Sequence, residues 1–244
     1  MVYVCTNNPV SSDYGVEYQC DSVSSLETIC AHTAYTVVGA NGVEKIICDC
    51  CEKKVEDENV KYYPFMDVQD SSAYYFEAVY WAFSHDPQIT SGISETQFGA
   101  KRACTREQIV TFLWNAYGKE PPQNPDNSFS DVKKGRYYYD AVYWAKEKGI
   151  TSGVSTTKFG VGQTCKREQA VTFLWKAAGA PEPLTSVCPF QDVTQDKYYY
   201  KAVLWAKENG ITSGVSETKF GVGKTCTREQ IVTFLYKAPH ETDD

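Results

Sequence analysis

The chain has 244 residues, 24 basic and 31 acidic, for a formal net charge of −7. That balance gives no general field to draw in nucleic acid or an anionic membrane, so any anion it binds must be held by a local cluster. No apolar run approaches the roughly 20 residues needed to cross a bilayer, which argues against membrane insertion. The opening MVYVCTNNPVSSD carries neither the basic nor the apolar region of a leader. Ten cysteines are many for a cytosolic chain and few for a disulfide scaffold. The expectation is an exported protein whose leader lies outside this sequence.

In chain order, the first segment, residues 1–60, stands apart. Ala34 to Val38, Asn41-Gly42 and Val43 to Ile47 read as a small β-hairpin with its turn at Asn-Gly. Closing it sets Cys30-Ala-His32 beside Cys48-Asp-Cys50-Cys51. Cys30, His32, Cys48 and Cys51 then form a candidate structural zinc site of the zinc-ribbon kind. The competing reading places Cys5, Cys20, Cys30, Cys48, Cys50 and Cys51 in disulfides, or leaves them reduced.

From residue 61 onward the chain repeats itself. Arg106, Arg167 and Arg228 follow one another at intervals of 61, and Trp81, Trp144 and Trp205 at 63 and 61. The longer interval comes from WAFSHDPQITSG in the first copy, where the others read WAKEKGITSG and WAKENGITSG. This sets three modules, residues 61–122, 123–184 and 185–244. The period excludes tetratricopeptide and ankyrin arrays, whose units are about 33 to 34 residues.

Each module opens on a turn: PFMDV with Asp67, SFSDV with Asp131, PFQDV with Asp192. A tyrosine-rich helix follows. In the second copy Tyr138, Ala141, Val142 and Ala145 fall on one stripe, and Gly149 or Gly210 can end such a helix in the left-handed conformation. The first copy has no glycine there, and Pro87 must end its helix. ITSG then leads to a second amphipathic helix carrying Ile109, Phe112, Leu113 and Ala116 in the first copy. Two striped helices cannot bury their apolar faces alone, so the modules should pack on one another. The joins KEPPQNPDNS and GAPEPLTSVCP are proline-rich linkers.

The second helix starts T-R-E-Q, K-R-E-Q or T-R-E-Q. Thr105 and Gln108 fit a capping box, and Glu107 suits the positive end of the helix dipole. Neither reason calls for Arg106, Arg167 or Arg228, which oppose the dipole. A recurrent first-turn arginine points to an anion, to which the guanidinium and free helix amides would both donate.

As a set, F-x-D-V, A-V-x-W-A, G-I-T-S-G and F-G followed by C-T-R-E-Q resemble the S-layer homology module. The resemblance runs from about Tyr62 to Ala238. It implies a mainly α fold in which three tandem two-helix modules pack as a pseudo-threefold spindle, with the small β-hairpin segment in front. It implies a non-enzymatic, extracellular function at the bacterial cell wall: non-covalent anchoring by binding a secondary cell-wall polysaccharide, often pyruvylated. By position, Arg106, Arg167 and Arg228 would meet the pyruvate carboxylate. Asp67, Asp131 and Asp192 would line or brace the grooves. Trp81, Trp144 and Trp205 would serve core packing or stacking, and Gly92, Gly153 and Gly214 would let the backbone approach the sugar. The family motif reads R-A-E where this chain reads R-E-Q, and Lys166 replaces its threonine, so unequal use of the grooves is expected.

Cys104, Cys165 and Cys226 are expected as small buried apolar residues. For catalysis the chain offers only His32, His85 and His240, and neither G-x-S-x-G nor H-E-x-x-H. FGVGQT lacks the third glycine of a dinucleotide loop, and the modules call for no cofactor. The alternative to glycan anchoring is a protein-assembly scaffold binding peptides, or self-associating, through the same grooves.

Overall fold

The computed structural model describes residues 65–239, together with the backbone of two strands in the first segment. By its contacts the chain divides into two units, Met1–Ser72 with Gly92–Phe98, and Ala73–Ser91 with Gly99–Asp244.

In the first unit, β1 (Tyr35–Ala40) pairs antiparallel with β2 (Val43–Cys48), from Tyr35 opposite Cys48 to Ala40 opposite Val43. Cys30, His32 and Cys51, expected around this hairpin, lie outside the described residues, as does the side chain of Cys48. The same unit holds the first opening turn. There Asp67 accepts the Phe98 N–H at 2.7 Å, and the Phe65 and Phe98 rings meet at 5.7 Å.

The second unit is helical. Its elements are α1 (Phe76–Ser84), α2 (Arg106–Ala116), α3 (Tyr139–Glu147), α4 (Arg167–Ala177), α5 (Tyr200–Glu208) and α6 (Arg228–Lys237). Among the described residues no helix is long and apolar enough to cross a membrane. The helices pair across the module joins: α2 packs on α3, α4 on α5, and α6 returns to α1, while α2, α4 and α6 pack on one another. A module therefore buries its second helix mainly against the first helix of the next, which meets the need of two helices that cannot cover their own stripes.

Local chemistry explains where the helices stop. Behind α3, Gly149 takes φ +70°, its N–H reaches Lys146 O and the Ile150 N–H reaches Ala145 O at 2.8 Å. This is a Schellman closure. Gly210 and Ile211 repeat it behind α5. Helix α1 ends instead at Ser84, with the extended residue His85 leading to Pro87.

The expected stripes are inward except at Ala116, which is half-buried. Ala141, Val142, Ala145, Ile109 and Leu113 are fully buried, and Tyr138 nearly so. The tryptophans sit at the helix pairings. Trp144 and Trp205 are each 4% exposed, and Trp81 lies 5.6 Å from the Tyr236 ring of α6.

At the centre of the repeat, the Cys104 N–H donates to Cys226 O, Cys165 to Cys104 O and Cys226 to Cys165 O, at 2.8–2.9 Å. The three bonds form a closed ring. All three thiols are unpaired and fully buried. Burial pushes Cys165 up to about 12 and raises Cys104 and Cys226 as well.

Candidate functional site

The three repeated arginines are the most deeply placed charges of the second unit: Arg106, Arg167 and Arg228 are 3–4% exposed. Arg106 and Arg167 each lie where the start of a second helix meets the F-G loop of the following module, and Arg228 starts α6 with its N–H on Arg102 O. Arg106 Nε donates to Phe159 O at 3.0 Å, and Arg167 Nε to Phe220 O at 3.1 Å. The guanidinium of Arg106 is held between the rings of Phe159 and Phe173, at 5.1 and 5.0 Å from their centres. Arg167 sits likewise between Phe220 and Phe234, at 5.0 and 5.2 Å, and Arg228 lies 5.1 Å from the Phe112 ring. Such contacts favour a cation most when it is desolvated.

Gly160 and Gly221 of the second and third F-G pairs make room for Arg106 and Arg167. A methyl group on Gly160 would stand 3.2 Å from both Cδ and Nε of Arg106, and on Gly221 a similar distance from Arg167. No carboxylate among the described residues comes within 4.0 Å of the Arg106 or Arg167 guanidinium. Burial pulls both below the usual arginine range, opposed by the surrounding side chains, yet an arginine stays charged. The result is a fixed cation, packed on its faces and lacking an anionic partner.

The opening aspartates brace these loops. Asp131 accepts the N–H groups of Phe159, Gly160 and Val161 at 2.9, 2.7 and 2.9 Å. Asp192 accepts those of Phe220, Gly221 and Val222 at 2.8, 2.8 and 3.0 Å. Burial works against the ionised form, but the three amides outweigh it and hold both carboxyls below the usual range.

ITSG supplies a second support. Thr212 Oγ1 accepts from the Gly214 N–H and lies 3.4 Å from a terminal nitrogen of Arg167, and Thr90 Oγ1 lies 3.2 Å from that of Arg228. Gly92, Gly153 and Gly214 have φ of +84° to +86°. A Cβ on Gly153 would meet Lys158 O at 2.5 Å and the Phe129 ring at 2.6 Å, so the close approach there is to the module's own backbone and core.

The helix starts differ from the sequence expectation in two respects. The first amide of each second helix, expected to face an anion, is occupied: Arg106 N–H donates to Gln163 O, Arg167 N–H to Lys224 O and Arg228 N–H to Arg102 O. The returning half of the capping box is present throughout, with Gln108, Gln169 and Gln230 accepting from the N-cap amides at 3.0, 3.1 and 3.4 Å. The N-cap side chains vary. Thr227 Oγ1 donates to Glu229, Thr105 Oγ1 is buried without a hydrogen-bond partner, and Lys166 has no acceptor to offer.

The tyrosine runs Tyr74-Tyr75, Tyr137 to Tyr139 and Tyr198 to Tyr200 are too long to be buried whole on a helix, so one exposed tyrosine per module is expected from the sequence. The partners of these tyrosines and of the first-turn glutamates are not. Glu107 and Glu168 accept the Gly162 and Gly223 N–H groups at 3.0 and 2.9 Å, so each ties a helix start to the next module's loop. Tyr74, Tyr137 and Tyr198 are 60–61% exposed and stand at the clefts. Burial of part of the ring, then the nearby glutamates, push all three phenols up to about 12. Tyr198 feels both Glu168 and Arg106, Tyr74 both Glu229 and Arg167, and Tyr137 both Glu107 and Arg228. Each cleft thus draws its arginine, its loop and its tyrosine from three different modules. Position in one module gives no sign of that pairing, because it arises only when the third module closes on the first.

Among the described residues no group of His, Cys, Asp and Glu could hold a metal ion. A packed cation with no carboxylate of the described residues within 4.0 Å suits recognition of an anion.

A tandem helical repeat with an arginine cleft at each module junction is a binding module in class. The chain belongs to the S-layer homology domain family, which it matches at residues 64–110, 128–171 and 189–232. It is similar to a "Cell surface protein" of Thermoanaerobacter kivui, 28% identical over 48% of this chain and 15% of the relative. It is also similar to a "Surface-layer 125 kDa protein" of Lysinibacillus sphaericus, 30% identical over 57% of this chain and 11% of the relative. A third relative is an "Endoglucanase" of Bacillus sp. (strain KSM-635), 29% identical over 53% of this chain and 14% of the relative. The match thus spans only 11–15% of the length of these relatives.

Proposed function

We propose that the three modules anchor an exported protein to the bacterial cell wall without a covalent bond, by binding an anionic secondary cell-wall polysaccharide. The observation that carries this reading is the pair of buried guanidinium groups, Arg106 and Arg167, fixed by Nε and by ring faces and lacking a carboxylate partner. A pyruvate ketal on a sugar presents a compact carboxylate that a guanidinium fork can take in a bidentate way. The exposed tyrosines offer a sugar an apolar face with a polar edge. Two relatives are named a cell surface protein and a surface-layer protein, and the match to an endoglucanase covers 14% of that protein; both support an anchor shared by different cargoes. The modules act as a non-enzymatic, extracellular attachment.

Co-sedimentation with purified cell walls tests the reading. The chain should pellet with intact walls and stay in solution with walls chemically stripped of the secondary polymer. Equal pelleting with stripped walls would refute glycan anchoring and point to a protein partner.

A further inference from the structure

The turn that leads into the first helix carries a different charge in each module. Between the opening D-V and the tyrosines, the second module reads Lys133-Lys134-Gly135-Arg136, the third Thr194-Gln195-Asp196-Lys197 and the first Gln69-Asp70-Ser71-Ser72-Ala73. Two lysines and an arginine give +3 in the second, Asp196 and Lys197 cancel in the third, and Asp70 leaves −1 in the first, within a chain of net charge −7.

In the third module the two charges meet as an ion pair, Lys197 Nζ lying 3.1 Å from Asp196. In the second, Lys133, Lys134 and Arg136 are all exposed, and no carboxylate of the described residues comes within 4.0 Å of them. The Lys133 ammonium donates to Ser130 O at 3.0 Å. The backbone beneath these cations is held in place. Gly135 takes φ +81°, the Arg136 N–H donates to Lys133 O at 3.3 Å, and Arg136 O accepts the Tyr139 N–H at 2.9 Å. Glycine at the third place of such a turn supplies the left-handed residue at no steric cost. The cluster is therefore presented on a tight turn tied to the start of α3.

This turn adjoins a cleft. Tyr137 follows Arg136 directly, is 60% exposed, and its phenol feels the charges of Glu107 and Arg228. Its ring stands edge-on to that of buried Tyr138 at 5.0 Å. Tyr137 thus links the cleft to the three cations.

We propose that Lys133, Lys134 and Arg136 form an outer anion subsite for a polymer charged along its length: with one anionic sugar in the cleft beside Tyr137, the carboxylate of a neighbouring repeat lies on this turn. The proposal rests on the glycan-anchoring reading above and adds to it the class of polymer. A chain with a single charged cap would gain nothing from cations outside the cleft, whereas a chain with repeated charge gains at each contact. Exposed contacts of this kind are weak singly and are screened by salt, so they hold a polymer by their number.

Calorimetry with the purified secondary polymer tests this, alongside amide NMR with a methyl glucoside carrying one 4,6-linked pyruvate ketal. An exposed ion contact changes affinity by about twofold, so K133Q/K134Q/R136Q should bind the polymer about eightfold more weakly at low salt, and the difference should shrink at high salt. The same variant should bind the glucoside, which has no second anion, as the unsubstituted chain does. K133R/K134R/R136K exchanges the cations while keeping their charge and should retain polymer affinity. So should K148Q/K207Q/K237Q, which removes three exposed cations elsewhere. Equal weakening by the two glutamine triples would reduce the effect to net charge and overturn the proposal. Undiminished polymer affinity in K133Q/K134Q/R136Q would also overturn it, as would an equal loss for the glucoside. Failure of the unsubstituted chain to bind either probe would instead refute the glycan reading itself, and this inference with it.

Discussion

Replacing Asp192 with Asn removes a carboxylate that gathers three backbone amides, those of Phe220, Gly221 and Val222. The Asn amide keeps one acceptor oxygen and turns an N–H₂ toward donors that Oδ2 had satisfied. Bonds to a charged acceptor contribute about 1.5–3 kcal/mol each. Two are lost, and the half-exposed position halves their value, so the expected destabilisation is about 2 kcal/mol. The sign with pH follows from the depressed carboxyl. Stability carried by Asp192 is complete above the unfolded-chain value of about 3.9 and is lost as pH falls from there through the folded value. Urea denaturation at pH 7 and again near pH 3 checks both parts. D192N should lose about 2 kcal/mol at pH 7 and measurably less at pH 3. A loss below about 0.5 kcal/mol at pH 7, or the same loss at both values, would show that the three bonds do not brace the loop.

Gly160→Ala and Gly162→Ala should separate site from scaffold. Both positions have positive φ, so each variant should lose about 1–2 kcal/mol of stability. Only the Gly160 methyl would press on Arg106, the space at Gly162 being open, so only G160A should also weaken glycan binding, by calorimetry with the purified polymer. Equal affinity of the two variants would contradict the placement of Arg106. In the native protein at pH 8, iodoacetamide should label half-buried Cys188 well before Cys104, Cys165 and Cys226, because only a thiolate reacts and burial suppresses it; mass spectrometry showing equal rates at the four would contradict this. We propose that Cys30, His32, Cys48 and Cys51 hold a structural zinc, and elemental analysis of protein prepared without chelator should find one per chain. Protein that folds without zinc would leave the disulfide reading.

Much of the helical part was legible because the relevant chemistry is local. A glycine after a striped helix names its own terminator, as Gly149 and Gly210 do, and Gln108 reaches back three residues whatever packs above it. What was hidden depends on closure of the three modules. Nothing around Tyr198 in the chain assigns it to Arg106, whose charge acts on it only once separate modules are packed together. The helix amides were expected to be open because a helix start leaves them unsatisfied, but at each helix a neighbouring module's carbonyl takes the first of them. The same holds for Gly160, which as sequence suggested only an incomplete nucleotide loop and in the fold is the space into which Arg106 packs. Lys166 drew attention as a departure within a motif, yet the helix it opens keeps its Gln169 bond.

The reading stands on Arg106 and Arg167 as anion ligands, and the direct measurement is the affinity of R106M, R167M and the double variant for the purified secondary polymer. Methionine keeps much of the stem packing between the phenylalanine rings and removes the charge, and circular dichroism confirms that each variant is folded. Each single substitution should lower affinity by about tenfold or more, as loss of a charge-assisted bidentate contact implies, and the double variant should no longer sediment with intact walls. A folded double variant that retains the affinity of the unsubstituted chain would contradict the assignment of these clefts.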